Sequence, residues 1–197
     1  MTDDQTNEIS GDAVVAYPLF HNGKGGSTPT SPLQFDIGQI DAYRAVELNR
    51  KWHSHMPEYR YGASIWHHVK IAYGAHFDGK YYAAAIWSKP NARNLPQDTV
   101  LELRRMAICS DAPKNTASRM IRIMVADIKK RYPKIQRVIS YQDTAVHKGT
   151  IYKASGWKAA AYSDAYDWQL HGDKQRKWHR PDKLHMNPKI RWEKDVR

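Results

Sequence analysis

Apolar residues recur at helical spacing most clearly in 115–131. Ala117, Met120, Ile121, Met124, Val125 and Ile128 fall at i, i+3 and i+4, while Arg119, Arg122, Lys129 and Lys130 hold the other face. That pattern predicts an amphipathic helix, capped by Asn115 or Thr116 and stopped by Pro133. An earlier helix is expected to begin near Asp36 or Gln39 and to run to about Trp52, with Ile40, Tyr43 and Val46 turned inward. Segments 69–77 and 80–88 flank Asp78-Gly79, a strong hairpin signal. A further β-rich segment, 99–109, follows the turn-like stretch 90–98. Beyond the long helix, 136–141 reads as a strand, 144–155 as a helix ended by Gly156, and 157–162 and 166–170 as closing strands. This order describes an α/β domain with a mixed central sheet flanked by helices.

Length and composition narrow the class. A chain of 197 residues with 41% hydrophobic content favours one packed domain with appended ends. The expected division is a flexible extension over 1–35, a catalytic domain over 36–170 and a basic tail over 171–197. The extension is acidic at first (Asp3, Asp4, Glu8, Asp12) and then rich in Gly and Pro. No apolar run is long enough to cross a membrane, and the mean hydropathy is −0.76. The N-terminus has neither a basic nor an apolar leader region, so an intracellular protein without a membrane partner is expected. The lone Cys109 excludes a disulfide framework and a cysteine-built zinc site.

The charge points to a partner. Lys and Arg number 31 against 20 acids, a net +11. From His171 onward there are nine Lys/Arg, four acids, three His, Trp178 and Trp192. Such a surplus suits a polyanion, because basic side chains release the counterions condensed on a phosphate backbone. Arg119 and Arg122 on the long helix, with Lys174, Arg176, Lys177 and Arg180 in the tail, are the candidate DNA-backbone contacts. A basic surface serving only solubility is the plainer alternative.

Two segments carry candidate chemistry. Glu102-Leu-Arg-Arg-Met-Ala-Ile-Cys-Ser-Asp-Ala-Pro-Lys-Asn-Thr-Ala-Ser runs from a strand through a polar turn into the long helix. The free N–H groups and dipole at that helix start favour a phosphate or carboxylate. Lys114, Asn115, Thr116 and Ser118 are the candidate cofactor-binding residues there. The second segment is Ser140-Tyr-Gln-Asp-Thr, followed by Thr150-Ile-Tyr-Lys-Ala-Ser-Gly-Trp. Asp143 sits where a strand ends, the place at which α/β sheets gather ligands, although an Asp there also serves as a helix cap. His53 and His55 form a His-x-His pair after the first helix, and His67 and His68 are adjacent. A pair of imidazoles on one face is compatible with a metal.

These segments resemble a known family. Strand, anion-binding loop, long helix, strand, helix and the ending Tyr152, Gly156, Trp157 resemble the GNAT acyltransferase core. More specifically, Val46-Glu-Leu-Asn-Arg-Lys-Trp-His-Ser, Ala84-Ala-Ile-Trp-Ser, Leu101-Glu-Leu-Arg-Arg-Met-Ala-Ile, Asp111-Ala-Pro-Lys-Asn-Thr-Ala-Ser-Arg-Met and the Ser140 and Thr150 segments resemble the phage Mom family. The resemblance implies a GNAT-like fold and conversion of adenine in double-stranded DNA to N6-carbamoylmethyladenine, which shields phage DNA from host restriction in the bacterial cytoplasm. It places His53, Arg105, Ser118, Asp143 and Tyr152 in or near the active site and implies a bound iron. The corresponding expectations are Asp143 as base, Tyr152 as proton donor, Ser118 orienting the donor and Arg105 gripping an anion. His53 is expected to be the iron ligand, with Asp143 or Tyr152 as partner. The loop 111–118 contains no Gly, unlike acetyl-CoA-dependent GNAT loops, so the donor is open between glycyl-tRNA and acetyl-CoA. Tyr59, Tyr61 and Trp66 are candidates to stack on an extruded base. A homodimer is open, as are two other functions: a GNAT transferase acting on a protein or small amine, and an inactive nucleic-acid-binding protein.

Overall fold

The computed structural model describes residues 27–53, 69–164 and 187–197. Tyr59, Tyr61, Trp66, His55, His67, His68, the strand expected at 166–170, and Lys174, Arg176, Lys177 and Arg180 lie outside the described residues.

Among the described residues, seven strands and three α-helices make the fold. In chain order these are β1 (Asp36–Gln39), α1 (Ala42–Trp52), β2 (Ile71–Phe77), β3 (Lys80–Ser88), β4 (Val100–Ile108), α2 (Thr116–Arg131), β5 (Arg137–Asp143), α3 (Thr150–Ala154), β6 (Lys158–Ser163) and β7 (Lys189–Asp195). The strands form one sheet ordered β1-β2-β3-β4-β5-β7-β6. Every neighbouring pair is antiparallel except β4 with β5, which is parallel and joined through α2. This is the mixed sheet of an α/β domain.

Helices cover both faces of the β2–β4 half, and the pattern of burial follows. α1 sets Ala45 and Val46 on Ala72 and Ile86. On the opposite face Met120, Ile121, Met124 and Ile128 of α2, all fully buried, pack with Tyr73, Ala85, Trp87, Leu101 and Leu103. Strands β2 and β3 therefore bury both sets of alternate residues, and their sequences read as continuous apolar runs.

Several expectations are corrected. Residues 36–39 form β1, not the start of a helix, pairing Asp36 with His76 and Gln39 with Tyr73. The helix starts only at Ala42, because the Asp41 carboxylate accepts the N–H groups of Tyr43 (2.8 Å) and Arg44 (3.2 Å). Tyr43 is consequently 58% exposed, whereas Val46 is buried. The helix expected over 144–155 shrinks to α3, since residues 144–149 form turns anchored on the Asp143 carbonyl. The basic end of the chain is not a free tail from Lys189 onward. β7 inserts between β5 and β6, with Ser140 opposite Trp192 and Lys158 opposite Glu193. Trp192 is only 4% exposed, and Arg197 donates to the carbonyls of Ile135 and Lys129. At the other end Phe35, expected in the extension, packs against Tyr82 within the core.

Asp127 of α2 ties the sheet edge to the helix. Its carboxylate accepts from Tyr73 Oη (2.8 Å), Gln39 Nε2 (3.0 Å) and Arg131 Nε (2.7 Å). Burial opposes its charge, but the three donors outweigh burial and hold the carboxyl below its ordinary 3.8. A carboxyl with a lowered folded pKa stabilises above its unfolded pKa and loses that contribution as pH falls through the folded value. Asp127→Asn is therefore expected to cost about 1.5–3 kcal/mol at neutral pH. In urea melts against pH, the gap from the unsubstituted protein should close below pH 3.8; a gap constant with pH would contradict the assignment.

Candidate active site

The site begins where two parallel strands part. β4 and β5 pair only from Val100–Arg137 to Leu103–Ser140. β4 then continues to Ile108 along β3, and β5 continues to Asp143 along β7. A bulge lies at the parting, since Ile86 pairs with Arg105 and Trp87 with Leu103, leaving Arg104 as the extra residue. Bulges re-aim side chains and free backbone groups beside active sites. The result is a cleft of about 370 Å³ walled by Arg104–Ile108, Ser140, the turn 147–149, Ile151 and Tyr152, with Trp52 and His53 from the end of α1.

Ser140 closes the apex of the fork. Its hydroxyl donates to the Leu103 carbonyl on the other strand (3.0 Å) and lies 2.9 Å from Tyr152 Oη. With its own hydrogen spent on Leu103, Ser140 accepts from the phenol. The Tyr152 ring stacks on Trp192 (5.5 Å, 15°) and tilts against Trp157 (5.6 Å, 55°). Burial pushes the phenol above its ordinary 10.0, and the Ser140 hydroxyl, able to turn and donate to a phenolate, pulls it partly back. Tyr152 thus keeps its proton across the physiological range, the condition for a proton donor.

The turn carrying α3 is held from behind. Gln142 donates to the His147 carbonyl and accepts from Trp192 Nε1 (2.7 Å). Gly149 precedes α3 at φ +70, and a Cβ there would strike the Gln142 amide and come within 2.8 Å of the Trp192 ring. Glycine is required on both counts.

The start of α2 takes a glycine-like shape without glycine. Asn115 sits at φ 68, ψ 5, in the left-handed region that Asn tolerates, and its side chain makes no cap bond. Thr116 is buried and donates to the Pro113 carbonyl (2.7 Å), and Ser118 donates to the Asn115 carbonyl (3.1 Å). Lys114 and Asn115 are exposed beside the helix start. One residue of the loop, Asn115, thus reaches without glycine a conformation for which glycine is otherwise used.

The other expected residues separate. His53, Arg105 and Tyr152 line the cleft, and His147 joins them. Asp143 is not among the lining residues. Its carboxylate accepts from Ala145 N (3.0 Å) and Asn187 Nδ2 (3.1 Å), the capping role. Ser118 is likewise turned into its own loop, with Ala117 on the cleft wall instead. Among the described residues no three His, Cys, Asp or Glu side chains come together to hold a metal. The iron set of His53 with Asp143 or Tyr152 is not assembled, because Asp143 caps a turn and the Tyr152 phenol is bonded to Ser140.

Ser140, Gln142, His147 and Gly149 were missed as site residues. Ser140 and Gln142 stand inside a segment already singled out, but only the strand register shows Ser140 at the fork. Two outcomes test this geometry. Ser140→Ala should raise the Tyr152 pKa further above 10.0 in a spectrophotometric titration that subtracts Tyr152→Phe; an unchanged or lower value would refute the Ser140 contact. Gly149→Ala should lower stability in urea by about 1–3 kcal/mol through the enforced clash and positive φ, and an unaffected midpoint would refute the packing.

A family model described as the Mom protein family matches residues 34–194. No curated protein matches the sequence significantly. Solved structures that resemble the fold include the ribosomal-protein-S18-alanine N-acetyltransferase of Escherichia coli, at 13% identity and TM-score 0.57, over 82% of this chain and 94% of that one. The IAA acetyltransferase of Bacillus cereus ATCC 14579 matches at 13% and 0.57, over 82% and 99%. A GNAT family acetyltransferase of Elizabethkingia anophelis with acetyl-CoA bound matches at 9% and 0.54, over 82% and 98%. The fold is that of the GNAT acetyltransferases, and with the match running from just before β1 into β7 the chain belongs to the Mom protein family.

Proposed function

We propose that this protein is a Mom-type transferase that modifies the exocyclic N6 amine of adenine in double-stranded DNA, leaving N6-carbamoylmethyladenine. The observation that carries the reading is the β4–β5 fork with the Tyr152 phenol held at its apex by Ser140, in a chain of this family. An acyl donor entering the cleft lies against the β4 edge freed of β5, whose N–H groups can polarise its carbonyl. The acetyl-CoA-bound structural neighbour of this chain and the start of α2 suit a CoA thioester as the carrier of the acyl group.

Adenine N6 is a weak nucleophile, because its lone pair is delocalised into the ring. His53 or His147 on the cleft wall takes the N6 proton as the N–C bond forms. The bond from the donor's glycyl carbonyl to its leaving sulfur or oxygen breaks, that atom takes its proton from Tyr152, and N6 is left carrying a glycyl amide. Ser140 then turns its hydroxyl to the phenolate. Reaching N6 requires extrusion of the base, and Trp52 on the cleft wall offers a stacking ring. The glycyl amide is an isomer of the carbamoylmethyl product: its free amine attacks adenine C6, the bond from C6 to the original N6 breaks, and a proton passes from the attacking amine to the departing amide nitrogen, so every atom is retained. The donor therefore carries a glycyl group, on CoA or on tRNA.

Nucleosides from DNA of bacteria expressing the protein are expected to include an adenine species of carbamoylmethyl mass and fragmentation. Tyr152→Phe should reduce it about 10²–10⁴-fold. Unmodified nucleosides despite folded, expressed protein would overturn the proposal. Incubating purified protein and duplex with glycyl-CoA or with glycyl-tRNA separates the donors.

A further inference from the structure

A second concavity, of about 260 Å³, lies on the outer side of α2, walled by Arg122, Lys129, Ser155, Trp157, Lys194 and Asp195. It is separate from the catalytic cleft. The cleft meets α2 at Ala117, and Arg122 and Lys129 follow about 8–18 Å further along the helix axis at 1.5 Å per residue. Its charged lining is mostly cationic, set among the apolar Val125, Ala126 and Val196. Arg122 and Lys129 are exposed, and Lys194 spends one of its N–H groups on the Ser155 carbonyl (2.8 Å). The one acid, Asp195, is already paired with Arg137 Nε at 3.3 Å.

The decisive feature is Trp157. It is only 4% exposed, yet its indole Nε1–H has no acceptor among the described residues. A buried donor left unmade is costly. Arg119 Nε, three residues before Arg122 on the same helix face, is also buried without a partner. A ligand that accepts hydrogen bonds and carries negative charge suits Arg122, Lys129 and Lys194 and the unpaired indole beside them, and a phosphate is such a ligand. Arg119, Arg122 and Lys129 share one stripe of α2 about 15 Å long at helical rise. That length suits successive phosphates of a strand rather than a single phosphate.

We propose that this pocket is a phosphodiester site that docks the DNA backbone while the cleft acts on the base. The proposal rests on the DNA-modification reading and adds Trp157, Lys129 and Lys194 to the helix face expected from sequence.

The test uses the full chain. The Trp157 indole N–H resonance, assigned by its loss in Trp157→Phe, is followed during titration with a short DNA duplex, with CoA and with inorganic phosphate. Duplex affinity is measured against salt for the unsubstituted protein and for Arg122→Gln/Lys129→Gln, both surface changes. The duplex is expected to shift the indole resonance, and the double variant to lose the shift. The variant's salt slope should be shallower by about 0.9 for each phosphate contact removed. A resonance moved by CoA or phosphate and not by duplex would reassign the pocket to another phosphate and overturn the proposal. So would a variant with unaltered slope and affinity, which leaves the modification reading standing. Failure of the unsubstituted protein to bind duplex at any salt would sink both.

Discussion

The parallel pairing of β4 with β5 lasts for four residue pairs and then stops, and the site depends on that termination. A strand that loses a neighbour exposes a row of backbone donors and acceptors, which is normally a liability. Here the exposed edge faces a cleft instead of another chain. The parting is stable because each strand keeps its other partner, β3 for β4 and β7 for β5. Ser140 spans the apex, bonded to Leu103 across the gap and to Tyr152 above it. One serine hydroxyl thus joins the sheet geometry to the placement of the Tyr152 phenol.

β7 makes that geometry possible. Inserted between β5 and β6, it brings Trp192 under Tyr152 and against the Gln142 amide. Gln142 in turn holds the carbonyl of His147, on the turn that walls the cleft. Aromatic stacking, a buried amide and a glycine with positive φ therefore form one connected support behind the cleft. The cost of burying the phenol is balanced by ring contacts, and burial is also what keeps the phenol protonated.

Much of this was legible in the chain. The long helix α2, the Asp78-Gly79 hairpin and the strands β4 and β5 follow directly from periodicity and turn chemistry, within a few residues. The resemblance carried by residues 46–157 extended to the family, because long uninterrupted segments are specific. His53, Arg105 and Tyr152, which the resemblance implied, line one cleft. Asp143 and Ser118 do not, because both lie at element ends where short polar side chains are drawn to nearby backbone groups. The misplaced helix start has the same origin: Asp41, not an earlier residue, supplies the cap.

By itself the sequence determined the class of fold, the family and the excess of positive charge, since these rest on local periodicity, on motif and on composition. Only the tertiary structure decided that Lys189–Asp195 is an interior strand, that β4 and β5 part at Ser140, and that Trp157 lies beside Arg122 and Lys194. Each of these is a pairing between residues far apart in the chain. No local pattern encodes such a partner, because a strand's own residues state which face is apolar and not which edge it will join.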